Sequence, residues 1–376
     1  MHSLFKLFRF IFLVSFFFIS CEDDDYPTIQ KETVIVYMVA DNDLSDEAFD
    51  DINEMEYFFE SKAGNLIVYI DSGEEAPRII KVCPDQSDKI VSKTIITYPE
   101  QNSASPTVFR AVIDDIMESY PSESYGLILW SHATGWLPPA NNTLKSFGLD
   151  ENLEMDILNL EEAIPDKTFE YIMFDACLMG SVEVVYQLRY KAPYILASPT
   201  EILANGFPYS NIVTSLFDQN ESIQQRLENI ANEYMDYYMA QSGKYKSASI
   251  SLIQTNALDE LASKTSELLN SYSLQKWEYK QNIAQRLDLL ESALAFDFED
   301  FLANNYPDTA VVEVKQQLNN AVLYKEHTEA FLTINQIHKF CGLSCYIPQV
   351  EFEKLNNYYQ KLSWSKDSGF NLLFAD

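Results

Sequence analysis

Five apolar runs alternate with helical segments between Thr33 and Pro199, and this order limits the fold more than any other feature of the chain. The runs are TVIVYMVA, NLIVYID, YGLILWSH, FEYIMFDAC and PYILASP. Continuous β-branched and aromatic runs are typical of strands that are buried on both faces of a parallel sheet. The β-α-β order therefore predicts an α/β fold with a mainly parallel sheet and helices on both of its faces.

The pattern changes after about residue 215. The segments SIQQRLENIANEYMDYYMAQ and NALDELASKTSELLNSYS have the periodicity of amphipathic helices, with a strand, KSASISLIQ, between them. A longer helical stretch is expected through WEYKQNIAQRLDLLESALA and TAVVEVKQQLNNAVLYKE, and KFCGLSCYIPQ is strand-like. We therefore predict a core at residues 33–215, followed at residues 216–376 by a mostly helical C-terminal extension with returning strands.

The N-terminus has the features of a targeting segment. Two basic residues precede an apolar run at residues 10–19, which is too short to span a bilayer but fits a signal-peptide core. Cys21 follows the small residue Ser20, and this resembles the cleavage box of bacterial lipoproteins. We expect residues 1–21 to be a lipoprotein-type signal peptide, Cys21 to be lipidated and residues 22–32 to form a tether. The alternative is an ordinary signal peptide with a chance cysteine.

This segment also predicts where the protein is found. A lipidated Cys21 would attach it to a membrane of the bacterial cell envelope. The acidic EDDD run behind the cysteine resembles the export signals of some Gram-negative surface lipoproteins, which points to the outer-membrane surface.

The chain is strongly acidic, with a formal net charge of −31. Such a chain repels phosphate backbones, so we expect no nucleic-acid partner, whereas cationic partners such as basic peptides would be attracted. The charge could also serve solubility alone. The scattered cysteines predict neither a disulfide framework nor a zinc site, and Cys341 and Cys345 are expected to be core thiols.

A histidine and a cysteine each follow a buried strand, one β-α-β crossover apart. His132 ends YGLILWSH and Cys177 ends FEYIMFDAC. Reactive groups gather at the carboxyl ends of parallel strands, and a thiol needs a neighbouring base to act as a nucleophile. The backbone N–H groups of Ala133 and Cys177 could hold an oxyanion. Asp175 would point to the same side as the thiol and could bind an Arg or Lys side chain.

Each of these residues also has a structural reading. A histidine at a strand end is often structural, a buried cysteine is often a small hydrophobe, and Asp175 could cap the following helix. The pattern alone leaves both readings open.

Several motifs resemble those of the clostripain family of cysteine peptidases. ILWSHATGW is similar to its histidine motif and FDACLMGSVEVVYQL to its cysteine motif. VIVYMVADNDL, YILASPTEILANGFPYS and CGLSCYIP resemble further family landmarks, so the likeness covers nearly everything after Thr33. The resemblance implies a caspase-like three-layer sandwich with a Cys–His dyad, in which Cys177 attacks and His132 assists.

The resemblance also implies an activity. The reaction would be endopeptidase hydrolysis of a peptide or protein substrate through an acyl-enzyme, cutting after Arg or Lys, with Asp175 in the pocket for that residue. No cofactor is required for this chemistry, although some members depend on calcium. Some members cleave themselves between the histidine and cysteine blocks. Lys145 stands where such a cut could occur, although it also reads as an ordinary loop lysine.

Three positions depart from the family pattern. Ala133 replaces a usual glycine, the run Ser198-Pro199-Thr200 replaces a common S-E-E, and Asn205 stands where many members have an acidic residue near the specificity pocket. Ser198 and Asn205 are thus candidate substrate-binding residues, and the preference for a basic residue depends mainly on Asp175. The alternative function is that of a catalytically inactive peptidase-fold lipoprotein that binds peptides or proteins at the cell surface.

Overall fold

The computed structural model describes residues 29–138, 146–150, 153–272 and 283–374. Cys21, Lys145 and the predicted signal peptide lie outside these residues, as does most of the predicted tether. The strands are β1 (Gln30–Val39), β2 (Asn65–Asp71), β3 (Arg78–Lys81), β4 (Lys93–Thr97), β5 (Ser122–Trp130), β6 (Phe147–Asp150), β7 (Leu153–Met155), β8 (Tyr171–Asp175), β9 (Tyr194–Ala197), β10 (Ser249–Gln254), β11 (Phe296–Asp297), β12 (Val322–His327), β13 (Ala330–Phe331), β14 (Asn335–Gln336) and β15 (Ser344–Cys345).

The helices of the described residues surround the larger sheet. They are α1 (Ser45–Phe58), α2 (Pro106–Ser119), α3 (Ile157–Ala163), α4 (Val182–Gln187), α5 (Tyr209–Leu216), α6 (Ile223–Met239), α7 (Leu258–Ser271), α8 (Phe298–Asn305), α9 (Val312–Ala321), α10 (Glu353–Tyr359) and α11 (Ser363–Asp367). None of them is both long and apolar enough to cross a membrane.

Nine strands form the main sheet, in the order β12-β10-β9-β8-β5-β1-β2-β3-β4. The five strands from β9 to β2 are parallel, while the outer pairs β10 and β12, and β3 and β4, run antiparallel to their neighbours. The predicted α/β fold with a mainly parallel sheet is confirmed. Both β10 and β12 come after residue 215. Because β10 pairs with β9 and β12 pairs with β10, the C-terminal region shares its sheet with the predicted core.

Alternate residues of the central strands are buried on opposite faces of the sheet. On β1, Val34, Val36 and Met38 pack with side chains of α1, α5 and α6. Ile35 and Tyr37 face the other layer, which includes α2, α3 and α4. Complete burial of such a side chain contributes roughly 1.5–3 kcal/mol, so helices on both faces stabilise the central strands and fix their register.

The helix predicted through residues 277–295 is wrong over its described part. Residues 285–295 form a loop around the fully buried Asp288. The Asp288 carboxylate accepts hydrogen bonds from the N–H groups of Leu294, at 2.9 Å, and Ala295, at 2.6 Å, and it pairs with Arg286 at 2.7 Å. A side chain that takes the backbone donors in this way competes with helix formation.

The helix predicted through TAVVEVKQQLNNAVLYKE ends earlier than expected. α9 stops at Ala321, and the next six residues form β12 against β10. The free edge of β10 offers backbone partners that the sequence periodicity does not reveal.

Three of the described cysteines are buried. Cys341 and Cys345 are buried and free, as predicted. Cys83 is also buried, and its backbone N–H donates a hydrogen bond to the Ser92 hydroxyl at 3.1 Å.

Candidate active site

His132 and Cys177 lie beyond the carboxyl ends of two adjacent parallel strands. β5 and β8 are paired with Trp130 opposite Asp175, and the Ser131 N–H continues the ladder to the Asp175 carbonyl at 3.3 Å. His132 and Cys177 are each two residues past that pair. Since neighbouring strands run about 4.8 Å apart, this register brings the backbone segments that carry the two residues to one edge of the sheet.

The imidazole of His132 is held by a carboxylate that sequence reasoning did not single out. Its Nε2 atom lies 2.7 Å from Oδ1 of Asp43, on the loop that follows β1. When Nε2 carries the proton and donates to Asp43, Nδ1 remains a proton acceptor. The VADNDL segment was read only as a family landmark, so its proximity to His132 had no local sequence signal.

The thiol of Cys177 is held by one backbone residue. Sγ accepts a hydrogen bond from the Ile202 N–H at 3.2 Å and lies 3.6 Å from the Ile202 carbonyl oxygen. Cys177 as a whole is only half-buried, but burial of its thiol raises the pKa to about 12, with smaller increases from the charges of Glu201 and Asp175. No hydrogen bond of the described residues joins the thiol to His132, and the raised pKa favours the neutral form of the thiol.

Backbone geometry favours the N–H of Ala133 as an oxyanion donor. The Thr134 N–H bonds to Ser146 and the Gly148 N–H bonds to the His132 carbonyl, which pairs this segment with β6 on one side. Because N–H groups alternate in direction along an extended chain, the Ala133 N–H points the same way as that of Ser131, toward β8. The roles of Ala133 and Cys177 as oxyanion donors stay predictions.

Asp175 is buried beneath a turn of the chain. Its carboxylate accepts hydrogen bonds from the Phe207 N–H at 3.0 Å and the Tyr209 hydroxyl at 3.2 Å. A Cβ atom on Gly206 would lie 2.7 Å from Oδ2 of Asp175, so only glycine allows the turn to approach this closely. Burial raises the pKa of Asp175 to about 7, while these two hydrogen bonds lower it.

A second buried acid accompanies Asp175 and was not predicted. Asp51, on α1, accepts a hydrogen bond from the Trp130 indole at 2.8 Å. Burial, followed by the nearby charge of Asp175, raises the pKa of Asp51 well above its usual range. The two carboxyls thus form one acidic group that a bound cation would stabilise in its charged form.

The other two candidate substrate-binding residues lie in different surroundings. Ser198 is fully buried, with its hydroxyl 2.9 Å from that of Ser249 and 3.2 Å from that of Thr200, so direct contact with a substrate would require this segment to move. Asn205 is exposed, next to the Gly206 turn that covers Asp175.

Buried carboxyls make the stability depend on pH. Burial raises the pKa to about 6 for Asp71 and to about 7 for Asp175, Glu183 and Glu201. Between their unfolded and folded pKa values the native state binds more protons, so the free energy of unfolding falls as the pH rises through about 4 to 7. We expect a higher Tm at pH 5 than at pH 8 by scanning calorimetry.

A matched variant separates this effect from the general acidity of the chain. Glu183 is fully buried and accepts hydrogen bonds from the Tyr346 N–H at 2.8 Å and the Tyr359 hydroxyl at 3.0 Å. Glu183→Gln should narrow the Tm difference between the two pH values, whereas Glu260→Gln, on the exposed face of α7, should not. Equal changes in both variants would mean that net charge alone sets the pH dependence.

A calcium site would need several oxygen ligands grouped together. In the ranges that the structure describes, no three His, Cys, Asp or Glu side chains are grouped closely enough to hold a metal ion.

Comparison with known proteins gives a consistent result. The model of the clostripain family matches residues 36–371. The clostripain of Hathewaya histolytica is 29% identical over 219 residues, which span 49% of this chain and 41% of that relative. The chain thus matches less than half the length of this curated protein.

Two solved structures are similar over almost their whole length. A secreted C11 cysteine protease from Bacteroides thetaiotaomicron, in complex with an irreversible peptide inhibitor, is 31% identical with a TM-score of 0.78, and the match covers 91% of this chain and 99% of that one. An inactive zymogen C11 protease from Parabacteroides distasonis is 32% identical with a TM-score of 0.77, again over 91% and 99%. These similarities extend across the sheet and both helical layers.

Proposed function

Since this chain belongs to the clostripain family of cysteine peptidases, we propose that it hydrolyses peptide bonds within polypeptides by means of Cys177 and His132. The observation that supports this proposal is the strand register, which brings the backbone segments of His132 and Cys177 to the carboxyl edge of the sheet. A thiol with a raised pKa requires a base, because it is not a nucleophile until its proton is removed.

The proposed reaction has two steps. His132 takes the thiol proton while Sγ of Cys177 bonds to the substrate carbonyl carbon, and the N–H groups of Ala133 and Cys177 stabilise the oxyanion. His132 then gives the proton to the leaving amine, which departs as the acyl-enzyme forms. In the second step His132 deprotonates water, which attacks the thioester and releases the acid product and the thiol. No cofactor takes part in this proton balance, so cleavage is expected to persist in EDTA.

A fluorogenic peptide library tests the proposal directly. The soluble chain lacking residues 1–21 should cleave members of a positional-scanning library, and Cys177→Ala should abolish this activity. Equal turnover by the wild type and Cys177→Ala would end the peptidase assignment.

We further propose that the residue before the cut bond is Arg or Lys. The charge of Asp175 acts on the Cys177 thiol, Asp51 lies near Asp175, and the exposed Asn205 adds a polar group next to the turn that covers Asp175. A substrate cation would lose its bound water and pair with the Asp175 carboxylate. The cation would also lower the raised pKa of Asp175, so that the carboxyl is charged when the substrate is bound.

Asp175→Asn should reduce the preference for basic residues. We expect kcat/KM for Arg substrates to fall about tenfold, mainly through KM, while Asp51 retains part of the attraction. In the wild type, kcat/KM for Arg substrates should rise as the pH increases through about 7, because the carboxylate is the form that attracts the cation. Substrates with Gln in place of Arg should show neither effect, and an unchanged Arg-to-Gln ratio in Asp175→Asn would contradict this role.

We propose that the protein acts in the bacterial cell envelope, held by a lipid on Cys21. A similar protease is described as secreted, and the N-terminal segment resembles a lipoprotein signal. Radiolabelled palmitate should be incorporated into the wild type and not into Cys21→Ser. If the protein lies on the outer surface, antibodies should bind it on intact cells. A mature chain with a free or disulfide-bonded Cys21 would overturn the anchor.

One observation favours the alternative of an inactive peptide-binding protein. The thiol is held by Ile202 rather than by His132, as in a site that is not engaged in catalysis. Iodoacetamide should label Cys177 selectively if the dyad is active, and the labelling should weaken in His132→Ala. Labelling that is identical in both would favour the binding protein.

A further inference from the structure

A groove beside the active site has an apolar floor and an acidic rim. It encloses about 570 Å³ and is lined by Leu290, Leu294, Phe352 and Leu355. Three exposed glutamates, Glu291, Glu351 and Glu353, surround these apolar side chains, with Lys354 as one basic neighbour. This volume is in the range of pockets that hold a small ligand or several side chains of a peptide.

The groove is linked to the nucleophile through one loop. Leu290 and Leu294 also line a small cavity together with Leu178, the residue after Cys177. In addition, the Leu289 N–H donates to Oε1 of Glu201 at 2.6 Å, next to the Ile202 backbone that holds the thiol. The same loop therefore lines the groove and contacts the segments that hold the Cys177 thiol.

The acidic rim of the groove indicates what kind of ligand would bind there. A second copy of this chain would bring a net charge of −31 to a rim that is itself acidic, so self-association through this face is disfavoured. An apolar segment flanked by basic residues would fill the floor and pair with the rim. We propose that the groove is a secondary substrate-binding site for basic, apolar segments of the polypeptide substrate, outside the reacting residues.

The role of the groove rests on the proposed endopeptidase function, but peptide binding in it can be measured without catalysis. The mature chain carrying Cys177→Ala would be titrated into a fluorescent peptide with the core Lys-Leu-Phe-Lys, followed by fluorescence anisotropy. The matched probe Glu-Leu-Phe-Glu keeps the apolar residues and reverses the charge. We expect binding of the first probe only, weakened by salt because the rim is exposed to solvent.

Variants locate the binding. Changing Glu291, Glu351 and Glu353 together to Gln should weaken binding of the basic probe about tenfold, since each exposed ion pair contributes a fraction of a kcal/mol. The control replaces the exposed Glu260, Glu267 and Glu313 of α7 and α9 by Gln, which removes the same charge elsewhere. The proposed site would be overturned if both triple variants weakened binding of the basic probe equally, or if the Cys177→Ala chain did not bind that probe. It would also be overturned if the protein formed a dimer that the groove variant dissociates.

The catalytic assay separates this inference from the proposed function. In the active chain, the groove variant should cleave a short fluorogenic peptide at the wild-type rate and lose about tenfold in kcat/KM for a peptide extended by the Lys-Leu-Phe-Lys core. Cleavage of both peptides without any effect of the groove variant would refute the secondary site and leave the peptidase intact. Binding of the basic probe without any cleavage would refute the peptidase and leave the groove.

Discussion

His132→Ala is expected to lower kcat/KM by about 10³-fold, because general-base assistance by a histidine typically contributes 10²–10⁴-fold. The pKa of about 12 for the Cys177 thiol means that, at pH 7, roughly one molecule in 10⁵ would hold a thiolate without assistance. The variant should therefore speed up about tenfold for each unit of pH, up to the limit of its stability, whereas the rate of the wild type, in which His132 can take the thiol proton, should depend less steeply on pH. Stopped-flow cleavage of a fluorogenic peptide measures both profiles.

The carboxylate beside the imidazole supplies the matched comparison. Asp43→Asn keeps a hydrogen-bond partner near Nε2 but removes the charge, so it should cost far less than His132→Ala, about tenfold in kcat. Iodoacetamide rates measured across the same pH range report thiolate formation separately from substrate binding. A pH profile of His132→Ala that is parallel to the wild type would mean that another group removes the thiol proton.

The sequence was sufficient to predict that the segments of His132 and Cys177 would lie at one edge of the sheet. Two buried runs, each ending in a chemically useful side chain, were expected to be parallel strands, and their carboxyl ends lie at one edge of the sheet. This inference needed only the order of elements and the parallel direction of the strands. The clostripain likeness then restricted the chemistry that such a pair performs.

Partners that are distant along the chain could not be predicted in the same way. Asp43 is on the loop after β1, and Asp51 looks like an ordinary polar position of an amphipathic helix. Their contacts with His132 and Trp130 depend on the strand order β5-β1 and on how α1 packs against it. Sequence periodicity defines a buried face, but it does not state which strand lies beneath it.

The misassigned helix has a related physical cause. Leu287, Leu290 and Leu294 recur at helical spacing, and that periodicity predicted a helix. The competing interaction is the buried Asp288 carboxylate, which satisfies several backbone N–H groups of a loop at once. This loop also forms one wall of the groove beside the active site. The helix prediction therefore failed at an irregular segment that lines a candidate binding site.

Gly135→Ala is expected to reduce kcat about 100-fold although the residue takes no part in the chemistry. Gly135 has φ of +72°, and a Cβ atom there would lie 2.7 Å from the carbonyl oxygen of Leu178. Because this contact joins the segment of His132 to the residue that follows Cys177, an added methyl group must push the two catalytic segments apart. A misplacement of about 1 Å is sufficient to cost about 10²-fold in rate.

Gly243→Ala separates that displacement from backbone strain. Gly243 has φ of +59°, but a Cβ atom there would have nothing within 4 Å. Both variants should lose about 1–2 kcal/mol of stability from the left-handed backbone, and Gly135→Ala should show a further decrease in Tm because its methyl group also clashes with the Leu178 carbonyl. Only Gly135→Ala should lose kcat, with KM for short peptides little changed, because the groups that bind the substrate are still present. If Gly135→Ala and Gly243→Ala had equal kcat, contact between the two segments would not be what holds His132 and Cys177 in their reactive arrangement.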